Sequence, residues 1–422
     1  MQKMYLKSAL IFFCVVTISS CKNKVSKESN DTKSDIEEVS FEKGTFGFDK
    51  NFLQKNYKNT LVLESDDKKA SLVLSPELQG RVMTSTLNGN AGTSFGWLNY
   101  DLIASKELKE HINPTGGEER FWLGPEGGQY SIFFKPEVSF DFENWYVPAE
   151  LDTEGFDVVE HNSNSAIFHK EIHLINYSGT KLDIDVNRKV SLLTKEQIND
   201  ALQLGTEDFS VVAYETFNVV KNIGAEDWKK ESGLVSIWLL SMLTPSPETT
   251  VIIPIKEGTE AELGTKVKDD YFGKVANDRL KKTEQTIFFK ADGASRGKIG
   301  VSPTRSTKFM GSYDAKNETL TILEIAAPNP KDGYVNSAWK MQEKPYSGDA
   351  LNSYNDGPLE DGSQMGPFYE LESSSPALAL AAGESYTHAQ RIYHFKGKKE
   401  IINQIAEKIL KVSIDEINTA FK

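Results

Sequence analysis

The sequence predicts an all-β protein, mainly antiparallel: a large β-sandwich with a short helical tail at its C-terminus. Three observations lead there. Short runs of alternating or β-branched residues recur between Thr60 and Lys396, roughly a dozen or more, which is the pattern of a large antiparallel sandwich or barrel. Gly, Asn, Asp and Ser separate one run from the next, as turns require. Helical periodicity stays sparse until the end of the chain.

Taken in order, the expected strands include TLVLE from Thr60, SLVLS from Ser71, YSIFF from Tyr130 and SAIFHKEIHL from Ser165. KLDIDVNRKVSLL from Lys181, SVVAYETFNVV from Ser210, LVSIWLLSML from Leu234 and TLTILEI from Thr319 continue the series. Leu182, Ile184 and Val186 alternate with Lys181, Asp183 and Asp185, so one face meets a core and the other meets water. Lys195–Leu202 reads as one or two helical turns. At the C-terminus Ile401, Ile402, Ile405, Ile409 and Leu410 form a stripe. Ser413 followed by Glu416 looks like a capping box that opens a last short helix.

The N-terminus carries a different kind of information. Lys3 and Lys7 precede an apolar run from Ala9 to Ile18, which suits the core of an export leader and is too short to span a bilayer. Ile18-Ser19-Ser20-Cys21 closes it, with small residues ahead of a cysteine whose thiol takes a lipid. The expected organisation is a lipoprotein leader over 1–21, a disordered tether over 22–45, a sandwich over 46–396 and C-terminal helices over 397–422. The tether reads KNKVSKESNDTKSDIEE from Lys22 and offers almost nothing apolar to bury. Acyl chains on Cys21 anchor a protein to a membrane surface without spanning it. The chain has two cysteines, and Cys14 leaves with the leader. A lipidated Cys21 therefore excludes a disulfide, a cysteine-ligated metal and a cysteine nucleophile.

Charge narrows the ligand class. Losing Lys3 and Lys7 with the leader takes the formal charge from −13 to −15. An acidic chain without a basic cluster does not suit nucleic acid, and a saccharide or other small molecule fits better. There is no P-loop, no dinucleotide-binding glycine motif, no H-E-x-x-H and no G-x-S-x-G. No cofactor is expected.

Three segments break the alternating pattern. In Pro114–Gly128, five glycines surround Glu119, Arg120 and Trp122. The Arg can fork onto hydroxyls and the Trp can stack on a sugar ring, or an Arg–Glu pair pins a loop over a buried Trp. Trp339–Pro358 is expected to be a long loop: either a turn-rich surface loop, or one offering Trp339, Tyr354, Asn355 and Asp356, the amides, acids and rings that saccharide sites use. In Gly366–Pro376, Glu370 and Glu372 share one strand face about 7 Å apart. Two acids on one face raise each other's pKa and can serve as general acid or base, or they are two surface carboxylates. His388, on the strand that follows, and His111, ahead of the glycine-rich segment, are candidate acids. His169, Glu171 and His173 alternate on one strand face, but without a further ligand of known geometry no metal site is expected.

These segments together resemble the galactose-mutarotase-like superfamily, and more closely a family of uncharacterised bacterial lipoproteins within it. The resemblance rests on GGEERFWLGPEGGQYSIFF, SGLVSIWLLSMLTPSPETTVIIP, SYNDGP and YELESSSPALALAAGES, and covers roughly Phe46 to Lys396. It implies a large antiparallel sandwich whose concave face binds saccharides. Leu371-Glu372-Ser373-Ser374-Ser375-Pro376 resembles the superfamily strand that carries the base acting on the anomeric hydroxyl, with one residue fewer before proline. It implies Glu372 as base, with Glu370 as second choice, and Arg120 as a sugar contact. The superfamily's middle-strand histidine motif has no counterpart here.

The function expected is a membrane-anchored, extracytoplasmic carbohydrate-binding protein, in the periplasm or on the outer-membrane surface, with aldose epimerase or mutarotase activity in its cleft. A non-catalytic binding or scaffolding lipoprotein is one alternative, and a glycosidase or lyase using the paired carboxylates is another. The anchor is directly testable. Cys21→Ser should remove all lipid from the mature chain, as judged by metabolic labelling with a fatty-acid analogue. Label retained on the Cys21→Ser protein would refute lipidation at this position.

Overall fold

The period-two runs fold into antiparallel strands in three sheets. The computed structural model describes residues 40–205 and 208–422. The leader, Cys21 and the tether as far as residue 39 lie outside the described residues. Ten strands form the largest sheet, in the order Leu280–Lys282, Thr286–Lys290, Thr249–Pro254, Phe309–Asp314, Thr319–Ile325, then Ser385–Gly397, Phe209–Asn222, Lys181–Leu192, Ser165–Ile175 and Asp157–His161. Five strands form the second: Gly297–Val301, Leu351–Asn355, Tyr369–Ser374, Ser236–Leu243 and Arg120–Gly124. Leu61–Glu64, Ser71–Ser75 and Arg81–Thr86 make a small third sheet.

The long outer strands bury alternate residues, as Lys181–Leu192 does with Leu182, Ile184, Val186 and Val190 inward. The five-stranded sheet is buried on both faces. One face, with Phe121, Ile237, Leu239, Leu371 and Ile299, joins the inner residues of the large sheet in the main core. Polar contacts cross the same layer: Ser373 Oγ lies 2.9 Å from His388 Nε2 and donates to Gln390 Oε1 at 2.7 Å. The opposite face carries the candidate site.

The C-terminal helices form as expected, over Lys399–Leu410 and Ile414–Thr419, with the Ser413–Glu416 capping box present. Ile402, Ile405, Ile409 and Leu410 seal a second core on the outside of the large sheet. Lys195–Leu202 is a helix capped by Thr194.

Three expectations fail. YSIFF from Tyr130 is not a strand; Phe133 and Phe134 are buried from an irregular segment, which a short apolar run allows as readily as a strand. The glycine-rich segment is not one loop, because Arg120–Gly124 is a strand of the five-stranded sheet. Nor is Trp339–Pro358 a continuous loop, since Leu351–Asn355 is a strand in the same sheet. Missing from the expectations was a helix over Phe46–Asn56, capped by Thr45. It buries Gly47 and Asp49 beside Phe46 and Leu53, so it shows no clean apolar stripe.

Gly116 and Gly117 bring the chain into the Arg120 strand. Both have positive φ, +90° and +115°, and a Cβ on Gly116 would lie 2.1 Å from the Trp97 carbonyl oxygen. The residues that follow are driven into the interior. Glu119 forms a two-point ion pair with Arg188, at 3.2 and 2.9 Å, with neither side chain exposed. Arg188 also donates to Asn218 Oδ1 at 2.6 Å and to the Gly80 carbonyl at 3.2 Å, so one guanidinium ties the large sheet to the residues that lead into a strand of each of the other two.

Glu119→Gln leaves that buried guanidinium without its counter-charge. A loss of about 3–5 kcal/mol is expected in urea unfolding. Joint replacement by apolar residues of similar size, Glu119→Met with Arg188→Leu, should recover most of it. A Glu119→Gln loss below about 1 kcal/mol, the scale of an exposed pair, would show that the pair does not hold the sheets.

Candidate active site

Antiparallel register gathers the charged face. Arg120 pairs with Leu240, Leu240 with Glu372, and Glu372 with Asn352. One step along, Glu370 pairs with Tyr354, which pairs with Lys298. Because side chains alternate, Arg120, Trp122, Trp238, Glu370, Glu372, Asn352, Tyr354 and Lys298 all project to one side.

On that side lie two carboxylates and two cations. Arg120 Nη2 donates to Glu370 Oε1 at 3.2 Å. Lys298 Nζ donates to Glu372 Oε2 at 2.9 Å, and Trp238 Nε1 donates to the same oxygen at 2.9 Å. The guanidinium carbon of Arg120 lies 4.0 Å from the Trp122 ring centroid. Lys298 sits between rings, 4.8 Å from Trp238 and 5.8 Å from Tyr271. All four charged residues are at most 8% exposed. Two buried atoms are left without a hydrogen-bond partner, Glu372 Oε1 and Arg120 Nε. Both are polar atoms whose bonding capacity remains for another molecule.

The two acids are not equivalent. Burial, the largest influence, pushes the Glu370 carboxyl up; Arg120 opposes and Glu372 reinforces, and the balance is about 7. Burial disfavours the Lys298 ammonium, but Glu372 and Glu126 more than offset it, so the group holds its proton above the ordinary lysine value. Over Lys298 and Asn352 lies Tyr271, whose hydroxyl bonds Asp349 and accepts from Asn352 Nδ2 at 3.2 Å. Its segment is pinned to the sheet edge by paired Lys268 and Gly300 backbone bonds of 2.8 Å.

The expected site residues divide. Glu370, Glu372, Arg120, Trp122 and Tyr354 share the face. Trp122 is buried, with one ring face taken by Arg120 and its indole donating to the Leu151 carbonyl at 3.0 Å, so it steadies the guanidinium. Asp356 accepts from Tyr354 Oη at 2.5 Å and holds that phenol in place. Trp339 is half-buried and packs on Phe134 and Trp145, beside the face.

Others are corrected. Glu119 points into the core onto Arg188, away from the face that carries Glu370 and Glu372. Asn355 faces the other way as well, accepting from Gly293 N and donating to the Ser295 carbonyl to clamp a turn. His388 bonds Ser373, on the reverse of the carboxylate strand, and burial lowers its pKa to about 4. It lies between the sheets as a neutral ring and not on the face that carries Glu372. His111 packs between the tilted rings of Phe142 and Tyr146, each 4.6 Å away, with Nδ1 on the Trp145 carbonyl. His169, Glu171 and Asp185 bring ligand atoms within 4.8 Å of one another on the outer face of the large sheet. His169 there already pairs with Asp185 at 2.6 Å, and His173 pairs with Asp183 at 2.7 Å.

Sequence reasoning passed over Lys298, Trp238 and Tyr271. A lone lysine within the apolar run GKIGV was the available sign of Lys298, because a cation there must meet an acid.

Known proteins offer these likenesses. The model of a family described as a family of unknown function (DUF6786) matches residues 44–421. No curated protein matches the chain. Among solved structures, a galactose mutarotase-like protein from Lactobacillus casei is 10% identical, with a TM-score of 0.46 over 80% of this chain and 100% of that one. A galactose mutarotase related enzyme from Lactobacillus acidophilus is 8% identical, with a TM-score of 0.44 over 80% of this chain and 98% of that one.

The Glu370 carboxyl has a consequence for stability. Its folded value, about 7, lies above the ordinary 4.5, so between those values the folded chain binds more protons than the unfolded one. Its contribution to stability is present at low pH and is lost as pH rises through that window. Glu370→Gln, neutral at every pH, should flatten the slope in denaturation curves measured from about pH 4.5 to 7. A slope that survives the substitution assigns the titration to another group.

Proposed function

The chain belongs to that family of unknown function, and we propose that its cleft acts on a saccharide as an aldose epimerase or mutarotase, on a protein held outside the cytoplasm by lipid on Cys21. One observation carries the catalytic reading: two carboxylates on one buried face have different surroundings. Glu372 is ion-paired through Oε2 and presents Oε1 without a partner, which suits a base. Glu370 titrates near 7, so its protonated form is populated at neutral pH and can give up a proton.

Opening a pyranose ring needs both. Glu372 Oε1 takes the proton of the anomeric hydroxyl while Glu370 delivers a proton to the ring oxygen. The bond between the anomeric carbon and the ring oxygen breaks, leaving an open-chain aldehyde. Rotation about the adjacent carbon–carbon bond and the reverse transfers then close the ring with the other configuration. The two sugar oxygens are bonded to one carbon, so acids from one strand face can serve both. Arg120 and Lys298 offset the charge of the carboxylates, and the Trp238 ring offers an apolar wall to the sugar's C–H face. Anchoring rests on the leader sequence and is tested by the labelling described above.

The burial of all four charged groups supports a second reading, a binding or scaffolding protein in which both acids serve as ion-pair partners. Glu372→Gln separates the two. It preserves shape and removes the basic oxygen, so catalysis should fall roughly 10²–10⁴-fold while saccharide affinity stays within about tenfold. Polarimetry or exchange NMR on freshly dissolved aldoses gives the rate, and a melting curve shows that the variant is folded. If the unmodified protein never exceeds the buffer rate with any common hexose, the isomerase reading fails and the binding reading replaces it.

A further inference from the structure

We propose that a cavity apart from the carboxylate face binds a small organic ammonium ion. The cavity holds about 580 Å3, within the range of small-molecule sites. It is lined by Thr93–Asp101 and by the ends of strands from both large sheets, and none of Arg120, Lys298, Glu370 or Glu372 lines it.

Its walls combine rings with negative charge. Phe95, Trp97, Tyr100 and Tyr369 supply aromatic surface. Asp49, Asp101 and Asp314 supply carboxylates, against the ammonium of Lys43. Asp49 is 1% exposed and accepts from Tyr100 Oη at 2.5 Å, which fixes that ring. His394 forms part of the lining, stacked on Phe95 at 4.2 Å, with Nε2 on Glu118 at 2.9 Å and Nδ1 on Thr321 at 2.9 Å. As an imidazolium–carboxylate pair it has no net charge, and with a neutral imidazole it is negative, so it does not repel a cation.

Such a lining discriminates by charge more than by shape. A cation is drawn both by the carboxylates and by the ring faces. A neutral molecule of the same outline gains only burial, and an anion is repelled. The chain already shows the preference: the Lys43 ammonium lies 4.2 Å from the Tyr100 ring centroid. Lys43 is exposed and can swing away, leaving that position to a ligand's ammonium.

Calorimetric titration of the full chain tests this with choline, butylammonium and the neutral isostere of choline in which carbon replaces nitrogen. Choline or butylammonium should bind saturably, and choline about tenfold or more tighter than its isostere, the scale of a partly desolvated cation–π contact. Asp101→Asn at the rim should weaken ammonium binding and leave the isostere unchanged. Lys43→Met, which removes the internal competitor, should strengthen it. Glu370→Gln should change none of these values, which keeps the test independent of the cleft. Equal affinity for choline and its isostere, no saturable binding of either ammonium ion, or weaker binding by Lys43→Met would each overturn the proposal.

Discussion

Glu118, Glu119 and Arg120, three consecutive charged residues, each meet a separate buried partner, and the placement of both candidate sites depends on them. Glu118 meets His394 at 2.9 Å, Glu119 meets Arg188, and Arg120 meets Glu370 at 3.2 Å. A charge taken out of water is tolerated only when it finds a partner at close range. With Glu119 held in the core, strand alternation turns Arg120 toward the opposite face. The preceding glycines make the approach possible, since a side chain on Gly116 would collide with the Trp97 carbonyl.

The carboxylate face inherits its chemistry from that arrangement. Arg120 can reach Glu370 because the strand carrying it sits beside Ser236–Leu243, which in turn sits beside Tyr369–Ser374. Lys298 reaches Glu372 across the same face from the opposite edge strand. A carboxylate beside each cation would lie well below the neutral range if the pairs were wet. Burial works against this for Glu370 and leaves it near neutrality, where one group can both hold and release a proton. The five-stranded sheet thus acts as a ruler that spaces two acids and gives each its own cation.

Much of the fold was legible because long half-buried strands announce themselves. Lys181–Leu192 alternates without a break, and its inward residues are the ones its pattern names. The five-stranded sheet was harder to read. It is buried on both faces, so its strands are short and carry glycine, charge and amides where alternation is sought. That is why the strands holding Arg120 and Tyr354 read as loops. The residue types of the site were still visible: Glu370, Glu372 and Arg120 stand out as charges among aromatic and apolar neighbours. Their partners were not, because Lys298 lies 74 positions from Glu372 in sequence and only the register brings them together. Glu119 and Asn355 show the limit from the other side. Each has the right chemistry and sits next to a true face residue, and one step along a strand is enough to point it into the core.

The cover over Lys298 is fastened on two sides. Tyr271 is bonded to Asp349 and Asn352, and its segment is stitched to the sheet edge at Lys268 and Gly300. Backbone and phenol therefore shield the Lys298–Glu372 pair, whose side chains are 10% and 1% exposed. Dissolved salt weakens an exposed ion pair by screening it, and a pair kept from water feels that screening far less. The attraction between these two groups is thus set by the protein and hardly at all by the medium around it.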